Sequence, residues 1–182
     1  WLSHAYSSGA LASSQYLRPG GTPVGFKHYD ATIDANTGLA SPNNYTNSAG
    51  VFDWTGGTAT TTLSGKYFDI YDTCGTVSAS SATGNIALGG SNGHHDCTTP
   101  GAGGAGNNAA ARSTFYELNR IAEKGRGGLP NNTWLQSSVP VNININDICN
   151  ALWSPGGQSI NFYRSGGGCS NTGELAGVFD HE

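Results

Sequence analysis

The spacing of hydrophobic positions changes once along the chain, near residue 107. Before that point apolar and aromatic residues come in short runs, 24–29, 58–63 and 67–71, separated by Gly, Asn, Asp and Pro clusters. Short β-branched and aromatic runs bounded by such residues predict strands. Their spacing suits a small antiparallel sandwich or meander across residues 22–100. Residues 1–21 are Ser- and Ala-rich and close on Arg18-Pro19-Gly20-Gly21. They read as an N-terminal arm ending in a turn. Residues 101–106, all Gly and Ala, read as a flexible uncharged linker.

Beyond the linker the period becomes helical. Asn107 and Asn108 stand as N-cap candidates, and Phe115, Leu118, Ile121 and Ala122 recur at spacings that share one helical face. Gly125, backed by Gly127, Gly128 and Pro130, predicts the stop. Lys124 and Arg126 lie near that end, as the helix dipole prefers. The helix reads as a packing element. Over 138–148 the pattern alternates, with Val139, Val141, Ile143 and Ile145 on one face and Asn142, Asn144 and Asn146 on a solvated one. Ser159–Arg164 follows a Pro155-Gly156-Gly157 turn, and the two strands together read as a hairpin. Asn171 with Glu174 resembles a capping box, opening a last helix whose stripe is Leu175, Val178 and Phe179 and which carries His181 and Glu182. The fold class expected is therefore α+β: a β-rich N-terminal region, then a helix, a strand hairpin and the start of a further helix.

Composition narrows the function. Charged residues are 11 % of the chain, against about 25 % in an ordinary soluble domain. The net charge is −4, and the eight basic residues form no cluster, which excludes a phosphate-neutralising nucleic-acid binder. No apolar run approaches the ~18 residues of a membrane span. With no Met and no stop signal after Glu182, the chain reads as a segment of a longer protein. Four cysteines, Cys74, Cys97, Cys149 and Cys169, allow three disulfide connectivities, of which the sequential one closes the shortest loops. An even count in a low-charge chain points to an oxidising, extracellular setting.

The chemistry suggested lies at the C-terminal end. A helix carrying His-Glu just after strands is where zinc peptidases of the His-Glu-x-x-His type carry their metal. Two His at i and i+4 share one helical face, and the intervening Glu acts as general base. Residues 107–182 resemble the catalytic region of thermolysin-like and fungalysin-like zinc metalloendopeptidases (gluzincins). The resemblance rests on the helix Asn108–Glu123, the stretch Cys149-Asn150-Ala151-Leu152-Trp153, the segment Asn161–Cys169, and Gly177–Glu182. It implies that 107–182 is the N-terminal part of a metallopeptidase-like domain. It further implies that His181 is a zinc ligand, Glu182 the base, and Asn150, Ala151 and Trp153 contacts for an extended polypeptide substrate. The second His, the downstream Glu ligand and the C-terminal domain of that family are absent from these 182 residues. One imidazole does not make the three-ligand site of a catalytic zinc. Activity is thus expected only together with the remainder of the same protein.

Other features have plainer readings. His94-His95-Asp96 sits in a Gly/Ser/Asn loop beside Cys97. Asp34, Asn36 and Gly38 alternate as in a calcium loop without the rest of that pattern, so calcium is a second candidate ion. Asn44-Tyr45-Thr46 and Asn131-Asn132-Thr133 fit glycosylation sequons. The alternative function is an extracellular β-rich structural or adhesive module, assembled into an array through strand edges. A carbohydrate-binding module would need Trp54 or Tyr71 on an exposed sheet face.

Overall fold

The computed structural model describes residues 8–12, 16–17, 23–24, 45–46, 51–53, 58–75, 77–83, 85–87, 109–179 and 181–182. The early strands are β1 (Ser8–Ala12), β2 (Tyr16–Leu17), β3 (Pro23–Val24), β4 (Val51–Asp53), β5 (Ala59–Thr61), β6 (Phe68–Asp72), β7 (Ala79–Ser81) and β8 (Asn85–Ala87). Helix α1 (Ala109–Gly128) follows, then β9 (Val139–Ile145), β10 (Ala151–Ser154), β11 (Ser159–Tyr163) and α2 (Ala176–Phe179). Single 3-10 turns occupy Trp134–Gln136 and Thr172–Glu174. The protein is α+β.

The principal sheet has the order β10-β11-β9-β6. Strands β6 and β9 run parallel, with Phe68 opposite Val139 and Ile70 opposite Val141. A parallel neighbour requires a crossover, and α1 lies between these two strands in sequence. Thus β6, from the β-rich stretch, belongs to the same sheet as the strands that follow the linker. The smaller sheets are β4-β1-β8, β2-β3 and β5-β7. Within the first of these, β1 pairs antiparallel with β4 and parallel with β8.

One face of the principal sheet forms the core. Phe68, Val139, Val141, Ile143, Ile160 and Phe162 are buried there with Phe115 and Leu118 of α1 and Phe179 of α2. Burial of each large side chain stabilises by roughly 1.5–3 kcal/mol. Phe162 meets Phe179 edge to face at 5.2 Å, fixing α2 over β11. On the opposite face Tyr71, Asn142, Asn161 and Leu152 stand in one cross-strand row.

Four expectations need correcting. First, β9 and β11 are not a hairpin: they run parallel, and the hairpin is β10–β11 across Pro155–Gln158. The Pro-Gly-Gly turn joins the nearer strand, and an alternating pattern carries no direction. Second, Asn144 is not on the solvated face but 1 % exposed. Its backbone adopts φ +55°, and the β9–β11 register slips between Asn161 and Tyr163. This bulge inserts one residue and puts Ile145 out of phase with Val141 and Ile143, leaving it half-buried. Third, α1 runs through Gly125 to Gly128, and Leu129 N–H still donates to Gly125 O at 2.8 Å. A glycine in a helix costs only about 0.5–1 kcal/mol. Tertiary contacts offset that cost: Leu135 lies beside Gly125, and the Arg126 guanidinium sits 3.5 Å from the Tyr67 ring centroid.

Fourth, no continuous helix starts at Asn171. The Asn171 side chain does cap, accepting from Gly173 N–H at 2.9 Å, but the turn it caps is 3-10. Leu175 then takes extended angles (φ −110°, ψ 108°) and is 39 % exposed, so it leaves the expected stripe. Gly173 explains the tight path. A Cβ there would meet Ala110, Asn171 and Thr114 at 3.2 Å, and Thr114 Oγ1 donates to Gly173 O at 3.0 Å. Most of 24–29, the N-cap candidates Asn107 and Asn108, the linker, Asp34–Gly38, Trp54, His94–Asp96 and Cys97 lie outside the described residues.

Candidate functional site

The principal sheet has two outer strands, β6 and β10, and β10 holds Ala151, Leu152 and Trp153. The direction of its main chain follows from its neighbours. The Leu152 carbonyl accepts from Asn161 Nδ2 at 3.3 Å, and the Asn150 carbonyl accepts from Thr172 Oγ1 at 3.0 Å. Both carbonyls therefore face inward toward β11 and the turn behind it. Main-chain groups alternate along a strand, so those of Ala151 and Trp153 face the outer edge. Among the described residues nothing pairs with that edge. Asn150 has an exposed side chain but an inward carbonyl. The outward-facing main-chain pair is Ala151 and Trp153, while Asn150, the other residue expected to contact substrate, presents its side chain rather than its carbonyl.

Trp153 shares its sheet face with its register partner Ile160, on the side covered by the helices. Its ring meets that of Trp134 edge to face, with centroids 5.8 Å apart. Trp134 opens the 3-10 turn after α1, a residue that no sequence motif singled out. Asn132 Oδ1 accepts from Trp134 N–H at 3.0 Å, and Ser137 Oγ donates to Trp134 O at 2.6 Å.

The terminal turn lies behind this edge. Phe179 N–H donates to Leu175 O at 3.3 Å, and the N–H groups of His181 and Glu182 both donate to Val178 O, at 3.1 and 3.2 Å. The helix α2 itself ends at Phe179, so His181 and Glu182, expected on the helix, lie instead in a turn bonded back to Val178. His181 is exposed and Glu182 half-buried. Phe179 anchors the turn on Phe162, and Phe162 is the register partner of Ala151. Phe179, two residues before His181, is therefore separated from β10 by one aromatic contact and one ladder step.

Two polar devices hold this arrangement. Thr172 Oγ1 bonds Asn150 O, accepts from Tyr163 N–H at 2.7 Å and lies 3.2 Å from Tyr163 O. It ties the entrance of β10, the end of β11 and the turn before α2 together. Deeper in, Asn171 Nδ2 donates to Asn144 Oδ1 at 2.6 Å, and Asn144 Nδ2 donates to Asp72 Oδ1 at 3.0 Å. Asp72 Oδ1 also accepts from Cys74 N–H at 2.8 Å, and the Thr73 hydroxyl donates to Asn144 O. Buried polar groups are tolerated when paired in this way. Beside them Arg112 is buried: desolvation lowers its pKa, and the nearby Glu174 carboxylate opposes that shift.

Cys149 and Cys169 form a disulfide with Cα atoms 5.3 Å apart. It joins the residue before Asn150 to the glycine turn ending β11's exit, where Gly166 and Gly167 lie against Ile148. A Cβ on either glycine would come within 2.7 Å of Ile148. Cys74 is also disulfide-bonded.

Among the described residues no three His, Cys, Asp or Glu side chains come together as a metal-holding group. A single imidazole such as that of His181 would not make a complete catalytic zinc site. Also among the described residues, no helix is long and apolar enough to cross a membrane. Comparison with protein-family models, with curated proteins and with solved structures finds no match to this chain.

Proposed function

We propose that these residues are the N-terminal part of the catalytic region of a secreted zinc endopeptidase. The observation that supports this reading is an open strand edge together with a turn that carries His-Glu just after α2, whose Phe179 packs on Phe162, the register partner of Ala151. An open edge with two outward-facing residues suits an extended polypeptide, whose main chain adds to the sheet as a further strand. Ala151 and Trp153 would bind that main chain. His181 would be one metal ligand, with the remaining ligands supplied by sequence outside these residues. Glu182 would take the proton from the attacking water.

The test uses the intact protein, zinc analysis and an internally quenched peptide. Hydrolysis is expected to vanish with a chelator and return with zinc. Glu182→Gln should lower kcat about 10²–10⁴-fold, the range for a lost general base, with zinc content unchanged. Hydrolysis that persists in Glu182→Gln, or a protein that binds no zinc, overturns the assignment. The open β10 edge also favours one second reading, an exported structural module that self-associates by edge pairing. That reading requires concentration-dependent assembly abolished by Trp153→Pro, measured by sedimentation.

A further inference from the structure

The reading of β10 as a polypeptide-binding edge leaves open which polypeptides it accepts. Beside that edge is one aromatic residue with unusual properties. Trp134 is 48 % exposed, yet both flanks of its backbone are fixed by the Asn132 and Ser137 side chains. The following residue, Leu135, is packed beside Gly125 of α1, which anchors the turn to the helix. With its backbone pinned, a large indole with two side-chain torsions carries little conformational entropy to lose on binding. Its only ring contact among the described residues is the edge of Trp153.

We propose that Trp134 is a specificity-determining residue for the polypeptide bound at β10, selecting a large apolar or aromatic side chain. This inference rests on the edge-binding reading above. The geometry follows from strand addition. Side chains of paired residues on neighbouring strands project to the same face. A substrate residue paired with Trp153 therefore places its side chain on the helix-covered side, where Trp153 already meets Trp134. That position is lined by two indoles set at 86° to one another, and such a corner offers a ring both a face and an edge. Ser154, next along β10, projects to the other sheet face and offers nothing comparable.

The experiment measures binding without turnover. Two blocked, fluorescein-labelled peptides of otherwise identical sequence, one with Phe and one with Ala at a single central position, are titrated against the intact protein with chelator present, by anisotropy. The wild type is expected to prefer the Phe peptide by about tenfold, the scale of one aromatic contact. Trp134→Ala should reduce that ratio below about threefold, and Trp134→Phe should restore most of it. Tyr71→Ala, on the opposite sheet face, should keep the wild-type ratio. An unchanged ratio in Trp134→Ala, or an equal loss of both peptides, overturns the assignment while leaving edge binding intact. If neither peptide binds the wild type, the edge reading itself fails, and this inference with it.

Discussion

Thr172 presents one hydroxyl to main-chain groups of two segments, the Asn150 carbonyl and both main-chain groups of Tyr163. Removing the oxygen at constant shape strands these groups. Thr172→Val should therefore destabilise by about 1–3 kcal/mol in urea denaturation, the cost of unpaired buried polar groups, while Thr172→Ser recovers most of it. An unaltered midpoint in Thr172→Val would mean that water replaces the hydroxyl. Nothing local in the sequence marks this residue, because its partners are 9 and 22 positions away. Asn144 was misleading for a related reason. Strict alternation places it outward, and only its partners Asp72 and Asn171, from distant segments, turn it in. Asn171 was legible as a cap, since its bond to Gly173 is local. Likewise, Asn142 reads as solvated in the sequence but donates to Asn161 Oδ1 at 2.9 Å across the ladder.

Elements were legible where the signal was periodic and long. The apolar stripe of α1 was evident from Phe115 and Leu118, and both are buried. Its end was not, because docking against Tyr67 and Leu135 outweighs glycine's preference to stop. Gly127 remains a weak point within that helix, with open space where a Cβ would stand. Gly127→Ala should raise stability by about 0.5–1 kcal/mol, read as a higher melting temperature in calorimetry. A fall instead would show that the last turn of α1 is not helical in solution. Strand direction was the larger omission. The sequence marks where β9, β10 and β11 run, but two chain reversals, over 146–150 and 155–158, make β9 parallel to β11.

Across the molecule, the α+β class and the Cys149–Cys169 link agree with the reading of the sequence. The packing of Phe179 on Phe162, the register partner of Ala151, is a tertiary fact that the residue pattern does not encode. The disulfide closes a separation of 20 residues that contains all of β10 and β11. Cys149→Ser with Cys169→Ser should cost about 3 kcal/mol of unfolding free energy, by the loop-entropy relation. Equilibrium denaturation of the double variant checks this, and no loss would assign the hairpin's order to its hydrogen bonds alone. The same variant should raise amide exchange at Leu152, whose main-chain groups face β11, since the bridge and Thr172 hold the entrance of β10 from two sides.

The parallel pairing of β6 with β9 also bears on how the chain is made. Thr73, just past β6, meets Ile143 of β9 across 70 residues. At translation rates of about 5–20 residues per second, β6 leaves the ribosome several seconds before its partner exists. Phe68 and Ile70 spend that interval as an uncovered apolar stripe, while the β10–β11 hairpin closes within microseconds of its own emergence. The principal sheet therefore closes only once β9 has emerged, long after β6.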